Sequence, residues 1–363
     1  MDANKLTVVT LTVLMSMLSV VIRASDNVVM GVAGNLAFET SDFMKETIHA
    51  GHKSPPRDWQ TQSGAMGVNA KWEADKSLPW FVEDQRIGGD YVAAGLAFGN
   101  KDEVRWGLKV LAWGFAHMDA DGMFNHHDCY HSASFFVEST AHALLLIEAS
   151  NLRSEFRDAV NELKPKLLSA ARWMVRPDVE ALVWLGKKPA NNKLPGCPPE
   201  LPYAHRRYLD AAAMGEAGVL CHDNELIEKS VALIRNGIAF QRPDGVNPEK
   251  GGYDCHYQAL GLGYACNYYQ MVATGALRAE MKPVLDKAFA WLLTRINDDG
   301  TVDVTGNTRT GLGQETTRSG KTKGIDYRQF VRSIDHWAQF TQNPALEIKA
   351  RRIYEAELKS KTR

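Results

Sequence analysis

Cysteine is scarce, neither charge sign dominates, and long apolar runs are almost missing from the 363-residue chain. The five cysteines are Cys129, Cys197, Cys221, Cys255 and Cys266, and no two of them form a CxxC pair. A cysteine zinc cluster is therefore not expected, and an odd number allows at most two bridges, whose pairing the spacing does not fix. The 42 Lys and Arg against 43 Asp and Glu leave a formal charge of -1. A nucleic-acid partner is not expected, because such binding needs excess positive charge to displace counterions. A local basic cleft remains compatible with that balance. HExxH and other zinc spacings are also missing, so neither a metal nor another cofactor is expected. Strand signals are few, with residues 300–304 and their neighbours reading as one small hairpin. No Pro-rich or low-complexity stretch divides the chain after its start, which reads as a single domain over 25–363.

What is present begins with the one long apolar run. Residues 6–22 follow Lys5 and precede Arg23-Ala24-Ser25, the pattern of a secretory signal occupying 1–24. A mainly apolar stretch of 17 residues, broken by Thr and Ser, is at the lower limit for spanning a bilayer, so cleavage and a secreted or periplasmic protein are expected rather than stable membrane insertion.

Apolar residues then recur at three- and four-residue intervals over 104–118, 133–149, 156–174, 209–220, 226–240, 259–274, 284–296 and 325–340, with a charged helix over 345–358. The chain reads as all-α. Asp121-Gly122, Asp244-Gly245 and Asp299-Gly300 punctuate three helices with the same turn-forming pair. Beyond the first two turns the text repeats as well: Asp128-Cys129-Tyr130-His131 against Asp254-Cys255-His256-Tyr257, each opening a long apolar helix. Helical hairpins at near-constant period must stack on one another to bury their apolar faces. Six or seven pairs fit the length, and the expected architecture is an (α/α)n toroid, closed or incomplete, with an open solenoid as the alternative. The 176–204 stretch reads as a long functional loop.

Ionisable residues crowd into the segments that precede helices. One cluster runs from Asn125 to His131, a second holds Glu200, Tyr203, His205, Arg206 and Arg207, and a third spans Asn247 to Tyr257. A fourth, 305–328, is cationic, with Arg309, Arg318, Lys321, Lys323 and Arg328. Trp59, Trp72 and Trp80 offer sugar-stacking faces or ordinary packing. Two opposed carboxylates drawn from Asp90, Asp128, Glu200 and Asp254 would serve a glycoside hydrolase. His, Tyr, Asn and Arg or Lys together suit β-elimination on a uronate. The C5 proton there is acidic only once the neighbouring carboxylate is hydrogen-bonded and its developing charge stabilised, and a phenol can protonate the leaving glycosidic oxygen. A secreted glycan-binding protein without catalysis is the third reading.

Asn125-His126-His127 leading into Tyr130-His131 is similar to the Asn-His motif of α/α-toroid alginate lyases, with Phe124 in place of that family's first Asn. The segment from Gly252 to Gln258 looks like the Tyr-bearing helix start of the same group. His205, within Tyr-Ala-His-Arg-Arg-Tyr and 52 residues before Tyr257, resembles polysaccharide lyase family 38, which acts on polymannuronate or glucuronan. The resemblance runs over about 80–340 in overall pattern. It implies Tyr257 as proton donor and base, and His205 as base or its partner. Asn125 with His126 or His127 would neutralise the substrate carboxylate, and Arg206 and Lys250 would contact carboxylates in adjacent subsites. His256, Tyr253, Glu200, His131, Arg309 and Arg328 complete the expected substrate-binding set, and the expected partner is an anionic uronate polysaccharide.

Overall fold

The computed structural model describes residues 54–124, 129–184, 203–317 and 320–361. The proposed signal segment, Asn125, His126, His127, Cys197 and Glu200 lie outside the described residues. Helices α1 (Val68–Ala74), α2 (Ile87–Phe98), α3 (Lys101–Phe115), α4 (Cys129–Ala149) and α5 (Arg153–Met174) are followed by α6 (Pro177–Trp184), α7 (Ala204–Cys221) and α8 (Asn224–Ala239). The order ends with α9 (Cys255–Met271), α10 (Gly275–Leu293), α11 (Tyr327–Thr341) and α12 (Pro344–Lys361), and a 3-10 turn (Val82–Arg86) precedes α2. Among the described residues there is no strand. The expected hairpin near 300 is one isolated bridge between Ile296 and Val302, because the chain turns back for a single pair and then leaves. The long loop expected over 176–204 is corrected too: it opens with α6. Pro177 at the first helical position, with Asp178 and Glu180 in the first turn, is the chemistry of a helix start.

Burial separates two kinds of helix. Helix α7 buries 16 of its 18 residues, whereas α8 buries only Leu226, Ser230, Ile234 and Gly237, a single stripe. A helix apolar all round is surrounded by protein, and one with a narrow stripe faces solvent. The inner helices α2, α4, α7, α9 and α11 each pack against the next, and α3, α5, α8, α10 and α12 back them as hairpin partners. Arg332 on α11 reaches Asp90 on α2 at 3.3 Å, bridging the last inner helix to the first. One continuous apolar core runs from Val82 to Ile353. No helix among the described residues is long and apolar enough to cross a membrane.

The two kinds of connection differ consistently. Inner-to-outer links are tight. Gly99, His222 and Gln342 adopt left-handed φ values of 65°, 57° and 53°, and Asn100, Asp223 and Asn343 follow at once. Outer-to-inner links carry the Asp-Gly turns, and these share one geometry. Asp119, Arg242 and Asn297 donate their N–H to the carbonyls of Met123, Val246 and Thr301, at 2.8, 2.9 and 2.9 Å. Gly122, Gly245 and Gly300 hold φ of 90°, 93° and 85°. Each presses its Cα against a backbone carbonyl of the outer helix that follows, at Ser169, Lys287 and Arg352, leaving no room for a Cβ. The recurrence seen in the sequence is therefore a recurrence in space.

The four free thiols, Cys129, Cys221, Cys255 and Cys266, show no disulfide among the described residues. Trp72 and Trp80 pack with Trp113 and His117, and Trp59 packs near Tyr91 and Trp106. All three indoles are half-buried, with part of each ring engaged in this packing.

Candidate functional site at the inner-helix starts

The site is built by the loops that lead into α7, α9 and α11. Asp254 ends one of these loops and caps α9, accepting from the N–H groups of His256 and Tyr257 at 3.1 Å each. Its second oxygen accepts from the N–H of Arg309 and Thr310 at 2.9 and 2.8 Å. One fully buried carboxylate thereby fixes the start of α9 and the loop that carries Arg309. Asn307 adds to this, accepting from the N–H of Cys255 and donating to the Thr310 hydroxyl.

Tyr257 lies at the centre. Its ring centroid stands 4.8 Å from that of His205, at the start of α7. The Arg309 guanidinium sits 3.8 Å from the same ring, and Lys323 Nζ donates to the Tyr257 hydroxyl at 3.1 Å. Carboxylates hold both cations in place. Arg309 donates to Glu249 at 2.6 Å and to Glu315 at 3.1 Å, and Lys323 donates to Glu315 at 2.7 Å. Lys250 also donates to Glu315, at 3.0 Å. Its φ of 51°, beside Gly251 at 80°, forms the tight turn whose ends Glu249 and Gly252 exchange backbone hydrogen bonds. Burial opposes the Glu315 charge, but hydrogen bonds from Lys323 and Lys250 outweigh it and hold the carboxyl at about 2.

His205 is buried, and its Nδ1 meets Glu249 Oε2 at 2.7 Å. Burial pushes the Glu249 carboxyl up to about 7 although Arg309 pulls against it. Burial, then the charge of Arg309, lowers the imidazole well below its usual range. The imidazole is consequently uncharged near neutrality whichever partner carries the proton. Above about pH 7 Glu249 is a carboxylate, Nδ1 donates to it, and Nε2 keeps a free lone pair. Below that, a protonated Glu249 donates to Nδ1 and the imidazole proton moves to Nε2. His131, near the start of α4, is likewise held neutral by burial and then by Arg206, and its ring lies 4.8 Å from that of Phe135. His256 Nδ1 accepts from the N–H of Asp326 at 3.2 Å, tying α9 to the loop before α11.

The expected residues therefore divide. His205, Tyr257, Arg309 and Lys250 come together, with His256 adjoining Tyr257. His131 and Arg206 approach His205 closely enough to shift its titration or be shifted by it. Arg206 makes no ion pair among the described residues; its guanidinium lies 5.2 Å from the Tyr203 ring. Tyr253 instead donates its hydroxyl to the Thr305 carbonyl at 2.8 Å and packs against Trp291, so it secures the loop. Arg328 is paired with Asp326 and lines a neighbouring cavity of about 500 Å³ between α2, α4, α9 and α11. Of the carboxylates in the hydrolase reading, Asp254 is occupied as a cap, and Asp90 pairs with Arg332 and lines the same cavity.

Glu249, Glu315 and Lys323 are the residues that sequence reasoning left unranked. Glu249 and Lys323 stood within the polar clusters, but nothing in the text linked them across 74 positions to one tyrosine. Glu315 lies within the 305–328 cluster as well, but as an acid in a segment that reads as cationic.

No family model, no curated protein and no solved structure matches the chain. The chemistry must be argued from the site itself.

Among the described residues, four cations (Arg206, Lys250, Arg309 and Lys323) stand with three carboxylates (Glu249, Glu315 and the capping Asp254), and a tyrosine hydroxyl and a neutral imidazole lie among them. Such a group can hold an anion and move a proton to or from it.

Proposed function

We propose that the chain is an α/α-toroid polysaccharide lyase that cleaves a uronate polymer, polymannuronate or glucuronan, by β-elimination. The toroid reading draws support from the succession of inner helices, each backed by an outer one, and from the Arg332–Asp90 bridge between the ends of that succession. The observation that carries the chemistry is the Tyr257 hydroxyl. Lys323 hydrogen-bonds it, Arg309 stacks on its ring, and uncharged His205 lies against it.

In this reading Tyr257 takes the C5 proton and returns one to the glycosidic oxygen that departs. Two cations fixed beside the ring stabilise the negative charge that the Tyr257 oxygen carries before it takes the C5 proton and again after it gives a proton to the leaving oxygen, and they need no rearrangement because Glu249 and Glu315 already hold them. His205, with Nε2 unprotonated, accepts a hydrogen bond from the phenol or from the substrate. Arg206, with no carboxylate partner among the described residues, is the cation best placed to bind the uronate carboxylate and spread its charge. Asn125, His126 and His127, outside the described residues, keep the neutralising role that the family resemblance implies. Secretion through the signal at 1–24 fits an extracellular or periplasmic polymer.

The test is incubation with a panel of polymannuronate, polyguluronate, glucuronan and pectate. The expected result is a rise in ultraviolet absorbance from the new C=C conjugated to the carboxylate. Reducing ends without that absorbance would replace the proposal with hydrolysis, and binding without either product would replace it with a glycan-binding protein.

A further inference from the structure

About three helical turns below the tyrosine site lies a second cluster of ionisable side chains. His142 is 11 residues beyond His131 on α4, Glu216 is 11 beyond His205 on α7, and Asn267 is 10 beyond Tyr257 on α9. Eleven residues make about three turns, or roughly 16 Å of rise, so His142 and Glu216 lie on the same helix faces as the rim residues above them. Glu138, one turn before His142, completes the group. The four side chains belong to three inner helices that run in the same direction.

Glu138, His142 and Glu216 are all buried, and one ligand-capable atom from each lies within 4.8 Å of the others. His142 Nδ1 and Glu216 Oε2 are 3.2 Å apart. Asn267 donates to Glu138 Oε1 at 3.0 Å and fixes the orientation of that carboxylate. The remaining oxygen of Glu216 is fully enclosed and has no hydrogen-bond partner among the described residues. A buried carboxylate oxygen without a donor is costly, and two carboxylates side by side are more so unless a cation or a proton joins them.

We propose that Glu138, His142 and Glu216 bind one divalent first-row transition ion, with Zn2+ the best fit to two carboxylates and an imidazole. Ligand bonds of about 2.1 Å to a tetrahedral ion place the donor atoms roughly 3.4 Å apart, so small side-chain rotations close the cluster around it. The ion balances both carboxylates and gives Glu216 its missing contact. Imidazole in the set disfavours Mg2+ and Ca2+, which take oxygen ligands. Glu138 and His142 also line the cavity between the inner helices, so the fourth position opens onto it and takes water. Because the ligands come from α4 and α7, the ion clasps two inner helices beneath the rim, and its role is structural.

The test reads metal content and melting, so it stands or falls apart from the lyase reading. Protein expressed with added zinc and dialysed against metal-free buffer is expected to retain one ion per chain by mass spectrometry. Dipicolinate should remove it and lower the melting midpoint, and Zn2+ should restore both. Co2+ should add a visible ligand-field band. His142→Ala and Glu216→Gln should lose the ion, whereas a His126→Ala/His127→Ala double variant should keep it. Where the buried variants fail to fold, the chelation and restoration of the unmodified protein decide alone. Unmodified protein that holds no metal, with a midpoint unmoved by Zn2+, Mn2+ or Co2+, overturns the proposal. So does an ion lost only from the His126/His127 variant.

Discussion

Tyr257 differs from the other tyrosines in its cationic surroundings more than in its burial. Replacing it with Phe removes only the hydroxyl and leaves the ring under Arg309, so folding should be nearly unchanged while turnover falls by about 10²–10⁴-fold. Thermal melting and the absorbance assay on the same preparation check both halves, and near-normal turnover removes Tyr257 from the chemistry. The Glu249–His205 pair makes a second prediction. Glu249, raised to about 7, passes from proton donor to acceptor as pH rises, and this shift frees His205 Nε2. Turnover should therefore climb with an apparent pKa near 7 that belongs to the pair. That limb should vanish in Glu249→Gln, and an unchanged limb in the variant sinks the assignment. These residues were partly legible in advance. Tyr257 and His205 stood out through family-like text, whereas Glu315, which positions three cations, lies in a loop whose partners are set only by folding.

At the scale of elements, the Asp-Gly turns are the firmest link from sequence to structure. Gly245→Ala combines a φ of 93° with a Cβ driven into the Lys287 carbonyl, and should cost about 1–3 kcal/mol in chemical denaturation. The tight inner-to-outer links give the opposite sign. Gln342 holds a left-handed φ of 53° that glycine adopts freely, so Gln342→Gly should stabilise by up to about 1 kcal/mol. A loss of stability there would mean that the Gln342 side chain matters more than its backbone. Apolar periodicity located nine helices but placed several starts late. Helix α9 begins at Cys255 rather than 259, because its first turn carries polar site residues held by the Asp254 cap. Helices α1, α2 and α6 escaped notice. Helix α2 is built largely of Gly and Ala, and Gly88 and Gly107 let it meet α3 almost backbone to backbone, which leaves no periodic stripe.

For the whole molecule, buried carboxyls set the response to pH. Burial raises Asp210 to about 6, Glu249 to about 7 and Asp335 to about 6. An acid raised in the folded state favours that state while protonated and loses the advantage as pH rises through the folded value. The stabilisation they give should therefore be lost between about pH 4 and about pH 7, with Glu249 alone acting over the last part of that interval. Neutral His131, His205 and His256, lowered in the folded state, act only on the acid side of their usual range. A melting midpoint that rises between about pH 6.5 and about pH 7, above the usual histidine range, contradicts the burial of the Glu249 carboxyl. Substrate affinity has its own dependence. With cations in excess at the rim, binding of a polyuronate should weaken steadily as salt is added, because screening acts on solvent-facing charges. An affinity indifferent to salt would point to a neutral ligand.

The amino-acid sequence by itself determined the all-helical class, the repeated hairpins and the Asp-Gly turns, because each follows from interactions between residues only a few positions apart. Tertiary structure alone decided that Lys323 reaches Tyr257, that Glu249 meets both His205 and Arg309, and that Glu138 and His142 stand beside Glu216. Those contacts join side chains dozens of positions apart, and only the packing of inner helices side by side brings them within hydrogen-bonding distance.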